Sequence, residues 1–129
     1  MFGLENYINT RAYHTHKMTC LLFTYLQIDA STGVVTDLNI VGLDYYKQLP
    51  GLYNNNRPIY TRFRGNLDTQ LYLFYVDGYW QVGYNYTESR SVIHVEGDST
   101  RPEHVLGTWR LYTNGKFSPV VAKLRCRGM

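Results

Sequence analysis

The dipeptide Asp77-Gly78 lies between Tyr72-Leu73-Phe74-Tyr75-Val76 and Tyr79-Trp80-Gln81-Val82, and it constrains the fold more than any other feature of the chain. A two-residue type I′ turn holds both central residues at positive φ, which Asp-Gly tolerates, and its twist matches that of two antiparallel strands. Asn114-Gly115 repeats the signal between Trp109-Arg110-Leu111-Tyr112 and the segment from Phe117 onward. Further breaks fall at Ser31-Thr32-Gly33, Pro50-Gly51, Gly65-Asn66 and Glu88-Ser89-Arg90. Between them lie apolar or alternating runs at residues 19–28, 34–43, 57–63, 70–76, 79–86, 91–96, 109–112 and 120–126. Short strands at this spacing, separated by Gly and Asn turns, predict an all-β fold. The expected architecture is an antiparallel sandwich or barrel of about 7–9 short strands. At most one helical turn is expected, over Pro102-Glu103-His104-Val105-Leu106 with Thr100 as its cap.

A chain of 129 residues fits one domain and can bury an ordinary core. Residues 1–17 read as an irregular N-terminal arm and residues 18–129 as a single β domain. The apolar run from Met18 to Ile28 follows Arg11, His14, His16 and Lys17 in a layout like that of a signal peptide. It is too short to cross a bilayer as a helix, and both of its faces are apolar, so it is read as a core strand. No membrane insertion is expected. Thirteen basic and ten acidic residues leave a net charge of +3 with no run of like charges. That balance gives little drive toward phosphate polymers, and no nucleic-acid partner is expected. Arg57, Arg62 and Arg64 beside Tyr60 and Phe63 superficially resemble a single-strand binding face, but a solvated outer strand face explains them more simply.

Chemistry-bearing patterns are sparse. His14 and His16 share one side of a strand-like pair without a third ligand nearby, so no metal site is assigned. Asp68, Asp77, Glu88, Glu96, Asp98 and Glu103 fall in or near turns, and no two form a glycosidase pair by spacing. Neither a nucleophile elbow nor a phosphate-cradling glycine loop occurs. No catalytic residue and no cofactor is assigned, and an enzyme is the remote alternative.

Thirteen tyrosines are the most unusual feature of the composition. Tyrosine suits both strands and interfaces, since its body is apolar and its tip is wet. Tyr79, Trp80, Tyr84 and Tyr86 crowd one hairpin arm and are the candidate ligand or interface aromatics. The leading expectation is a non-catalytic module that mediates protein assembly or attachment, with exposed strand edges as pairing templates. A carbohydrate-binding module is the alternative, with aromatic rings stacking on sugars. Asn85-Tyr86-Thr87 is a glycosylation sequon, which marks Asn85. Cys20 and Cys126 stand near opposite ends of the chain. Antiparallel pairing of the first long strand with the last would bring those ends together and permit a disulfide. Closing a loop of roughly 105 residues would contribute about 4–5 kcal/mol in the chain-entropy model. Sequon and cysteines together point to an extracellular or cell-surface setting.

A resemblance adds to this reading. Gly51-Leu52-Tyr53, Asn56-Arg57-Pro58-Ile59-Tyr60, Leu71-Tyr72-Leu73-Phe74-Tyr75, Trp80-Gln81-Val82-Gly83, Pro102 and Gly107-Thr108-Trp109 occur in that order. The pattern resembles a small, poorly characterised β module of extracellular and surface proteins from marine invertebrates and protists. The likeness covers about residues 51–126, with Asn55-Asn56 in place of Asn-Gly. It implies a secreted or surface-displayed recognition or assembly domain, and it carries no catalytic assignment.

Overall fold

The structure, a computed structural model, describes residues 25–30, 45–62 and 70–127. Nine strands lie among them. They are β1 (Tyr25–Ala30), β2 (Tyr45–Asn54), β3 (Arg57–Arg62), β4 (Tyr72–Val76), β5 (Tyr79–Gly83), β6 (Ile93–Glu96), β7 (Trp109–Thr113), β8 (Lys116–Pro119) and β9 (Ala122–Arg127). One 3-10 turn, Pro102–His104, is the only helical piece among the described residues. All nine strands join a single antiparallel sheet in the order β9-β1-β2-β3-β4-β5-β6-β7-β8. The all-β antiparallel expectation is met.

From β1 to β8 each strand pairs with the next one in sequence, and β9 then returns to pair with β1. The two ends of that order, β8 and β9, are separated along the chain by Val120 and Val121 alone. The Val120 N–H donates to the Trp109 carbonyl at 2.9 Å, extending the β7 ladder by one residue before the path leaves β7 for β1. Two ends of a sheet tied by so short a link cannot lie apart. The sheet curls so that Ala122, Leu124 and Cys126 of β9 reach the core that β7 also lines, while no ladder among the described residues joins β8 to β9 and closes it into a barrel.

Curling gives the sheet an inside. Side chains alternate along a strand, and Tyr46, Tyr60, Leu73, Tyr75, Trp80, Val82, Ile93, Val95, Trp109 and Leu111 all turn inward. Ala122, Leu124 and Cys126 pack against the same core from β9 while Val121 is exposed, which is the alternation expected of the last strand. Both sheet edges are blunted. β8 is four residues long and shows Lys116 and Pro119 to solvent, while β9 lies against the 3-10 turn. A lysine, a proline and a covering element are the usual protections of a strand edge.

Three details differ from the sequence reading. Pro50-Gly51 does not end a segment, because β2 runs through it as an irregularity between Gln48 and Tyr53, with Gly51 at φ 77°. Arg101, not Thr100, precedes the 3-10 turn, and its side chain makes no capping bond. The strand after Asp77-Gly78 stops at Gly83 rather than Tyr86. The arm at residues 1–17, the run at 34–43 and the Gly65-Asn66 turn lie outside the described residues.

Asn55 and Asn56 join β2 to β3 at φ 51° and 65°, the same left-handed pair of conformations that Asp77-Gly78 and Asn114-Gly115 adopt. Asparagine bears that conformation more readily than other side chains, and glycine bears it best. Asn56→Gly is expected to hold or raise stability by up to about 1 kcal/mol, and Asn56→Val to lower it by about 1–2 kcal/mol. Urea midpoints measure this. Equal midpoints for all three proteins would exclude any constraint from the turn.

Candidate functional site

Two aromatic groups lie on opposite faces of the sheet. On the inside, Trp80 is fully buried, tilted against Tyr60 at 6.5 Å and edge-on to Tyr75 at 5.7 Å. Its indole N–H donates to the Ser99 carbonyl at 2.9 Å. Arg57 closes this end of the core, with its guanidinium 4.0 Å from the centre of the Tyr75 ring. Arg57 also donates to the carbonyls of Asn55 (2.9 Å), Ser99 (3.3 Å) and Asp98. Deeper in, Arg101 Nε donates to Glu103 Oε2 at 2.8 Å, and the Glu103 carboxylate is almost wholly shielded from water. The Tyr60 hydroxyl is buried with no hydrogen-bond partner among the described residues. Burial, and after it the Glu103 carboxylate, raise the Tyr60 pKa well above the usual tyrosine range, with Arg101 pulling the other way. It stays protonated.

On the outside, Tyr79 of β5, His94 of β6, Tyr112 of β7 and Phe117 of β8 form a second group. The His94 ring stacks on Phe117 at 3.9 Å and 14°, and Tyr79 covers it at 4.5 Å. β6 and β8 flank β7, so their backbones stand nearly 10 Å apart. The His94 and Phe117 rings therefore lean toward each other across β7. Tyr112 meets Phe117 edge-on at 5.2 Å and is half exposed. With Ser89, Arg90 and Ser91 these four rings line an open groove of about 520 Å³. A second depression of about 320 Å³ shares Tyr79 and His94 and is bounded by Glu96, Gly107, Thr108 and Arg110.

The rim of the groove is held down by a close approach. A Cβ on Gly83 would stand 2.3 Å from the Arg90 carbonyl, so only glycine lets residues 84–90 fold back over the sheet. That segment is tied down at Tyr86, whose ring meets Tyr72 edge-on at 5.0 Å and whose carbonyl accepts from Asn54 Nδ2 at 2.6 Å.

The four aromatics singled out in the sequence do not share a face. Trp80 is enclosed in the core and is unavailable to a ligand. Tyr79 lines the outer groove, Tyr86 packs on Tyr72, and Tyr84 is exposed apart from both. Arg62, read as part of a solvated face, is instead buried on the inner side with Tyr60, while Arg64 lies outside the described residues. Asn85 is exposed in a turn in which the Thr87 N–H and hydroxyl donate to its Oδ1 at 2.9 and 2.6 Å. Cys126 pairs in register with Leu26, and Cys20 lies outside the described residues. No cluster of three metal-ligating side chains occurs among the described residues, and His14 and His16 lie outside them. No helix among them is long and apolar enough to cross a membrane.

From the sequence His94 reads only as a structural histidine within a strand, and its place in this group, with Tyr112 and Phe117, is not evident there. The only signal was their alternation with the inward residues Ile93, Leu111 and Val95, and the register that joins them spans four strands. In comparisons with protein-family models, curated proteins and solved structures, nothing matches this chain.

Burial lowers the His94 pKa below the ordinary 6.5, Arg110 lowers it further, and Glu96 opposes them. The unfolded chain then takes up this proton more readily than the folded one, so His94 costs stability as pH falls through 6.5 toward its folded value. The drop in Tm from about pH 7.5 to 5.5, a range spanning the ordinary histidine pKa, is expected to be steeper in the wild type than in His94→Gln. NMR titration is expected to put the His94 midpoint below 6.5, and a midpoint above 6.5 would contradict the stacked geometry.

Proposed function

We propose that this chain is a non-catalytic recognition module, secreted or displayed at a cell surface, that attaches to partners through the outer groove of β5–β8. The observation that carries this reading is the cluster of Tyr79, His94, Tyr112 and Phe117 around an open groove. Aromatic side chains joined across three ladders offer a preordered surface, and preordering reduces the entropy lost on binding. Tyrosine supplies contact area with a polar tip, the chemistry favoured at interfaces. Attachment works through the sheet face rather than its edges, since Lys116, Pro119 and the 3-10 turn protect those edges.

Three features support the extracellular setting. Asn85 is exposed within its sequon. Cys126 is half-buried against the core, and no free cysteine occurs among the described residues. The residues resembling the surface module include Arg57, Tyr60, Tyr75 and Trp80, which converge at one end of that core. We assign Cys126 to a disulfide with Cys20, the other cysteine of the sequence, and Asn85 to N-glycosylation.

Two measurements test these assignments. Labelled protein is expected to be retained on intact cells or extracellular matrix, and Tyr112→Ser and Phe117→Ser are expected to reduce retention at least about tenfold, as loss of an interface anchor does. Sedimentation across a wide concentration range accompanies this assay. A protein that stays monomeric and is not retained, or whose retention ignores both substitutions, would overturn the attachment reading. For the setting, alkylation of the unreduced native protein is expected to add no label by intact mass, and to add two labels only after reduction and unfolding. Two labels without reduction would defeat the disulfide and the main argument for an extracellular life.

A further inference from the structure

The chemistry of the groove narrows what it can hold, and the inference below rests on the outer groove being the attachment surface. Among its described lining residues are three carbon rings, one imidazole, two serine hydroxyls and one guanidinium, that of Arg90. None is a carboxylate. Arg90 holds no ion pair or side-chain hydrogen bond with any described residue, and neither does Arg110 in the adjoining depression. Burial and the nearby Arg110 favour neutral His94, so its ring adds no competing fixed charge at neutral pH. A groove whose one uncommitted charge is a guanidinium complements an anion, and guanidinium recognises carboxylate and sulfate in a planar, two-point fashion.

The backbone narrows the choice again. The groove lies on a sheet face, where the N–H and C=O groups of β5, β6 and β7 are already consumed in ladders to their neighbours. An extended peptide, which draws affinity from main-chain pairing at an edge, finds no such partner here. What remains is side-chain hydroxyl, ring surface and guanidinium. A ligand rich in hydroxyls with one flat apolar face and one negative group matches all three. At about 520 Å³ the groove falls within the range of roughly 300–1,000 Å³ usual for small-ligand sites. The second depression continues past the Tyr79–His94 ridge with Glu96, Thr108 and Arg110, room for the next unit of a chain.

We propose that the outer groove binds an anionic saccharide, a pyranose bearing a carboxylate or a sulfate. The sugar ring lies against half-exposed Tyr112, its hydroxyls meet Ser89 and Ser91, and its anionic group pairs with Arg90.

The test is an amide NMR titration of the full chain with three tetrasaccharides: hyaluronan, which is carboxylated, sulfated chondroitin, and neutral chitotetraose. An acidic peptide of equal charge is the fourth probe. Shifts are expected to centre on Tyr79, Ser91, His94, Tyr112 and Phe117. The anionic sugars are expected to bind at least about tenfold more tightly than chitotetraose, the worth of one charge-assisted pair. Arg90→Gln is expected to remove that preference and leave the weaker neutral binding in place. Sulfated chondroitin carries a uronate carboxylate as hyaluronan does, so tighter binding of the sulfated chain marks the sulfate as the preferred anion and equal binding marks the carboxylate. Silence from every saccharide, equal binding of the neutral one, indifference to Arg90→Gln, or preference for the peptide would each overturn the proposal. Should the sugars fail while cell or matrix retention still depends on Tyr112, the attachment reading stands and this inference alone falls.

Discussion

Burial of Trp80 between Tyr60 and Tyr75 is the contact on which the rest of the structure depends. Rings of this size remove about 150–250 Å² each from water, which at roughly 25 cal/mol per Å² gives at most about 4–6 kcal/mol apiece. Three such rings from β3, β4 and β5 can be enclosed together only if the sheet curls around them. The indole N–H then needs an acceptor, and the Ser99 carbonyl supplies it. Arg57 secures the same segment through the Ser99 and Asp98 carbonyls while covering Tyr75. One end of the core is thereby sealed by a cation whose hydrogen bonds end on backbone oxygens.

Because side chains alternate along a strand, the inward choice of Trp80 decides what faces outward. Tyr79 and Gln81 must point away from the core. The ladders carry that choice across, so Ile93 and Val95 enter the core while His94 leaves it, and Leu111 enters while Tyr112 leaves. The outer groove is thus a consequence of how the inner core is built. Its rim depends on a further packing fact, the absence of a Cβ at Gly83, which lets the Arg90 backbone descend onto the sheet. A glycine in a strand that another backbone approaches closely is a recurrent device.

Polar groups are distributed unequally between the two faces. Inside, Arg101 pairs with Glu103, while the Tyr60 hydroxyl stays protonated because ionising it there would leave a charge without water. Outside, Arg90 and Arg110 hold no ion pair among the described residues. Inner charges are committed to holding the fold, and outer ones remain open to solvent and to whatever the groove meets. That contrast separates the two faces of the sheet more clearly than composition does.

Much of the fold was legible because its determinants are local. Asp77-Gly78 and Asn114-Gly115 make their turns by themselves, and Asn55-Asn56 does the same without the usual glycine. The alternation in 120–126 set Val120, Ala122, Leu124 and Cys126 on one side of the last strand, and the pairing of that strand with β1 is antiparallel as expected. The break expected at Pro50-Gly51 failed because an irregularity in one strand and a true turn use the same residues. The site was far less legible. Trp80 and Tyr79 are neighbours with equal aromatic character, and no local property says which one enters the core. His94 and Phe117 stand on strands that are not neighbours and meet only after two ladders have set their register. By itself the sequence determined the class of fold, its turns and the period of its strands, since these follow from backbone conformation and side-chain alternation over a few residues. Only the tertiary structure decided which rings are buried, which stand together outside and which charges stay uncommitted. Those outcomes depend on register and curvature, and both are properties of the whole sheet.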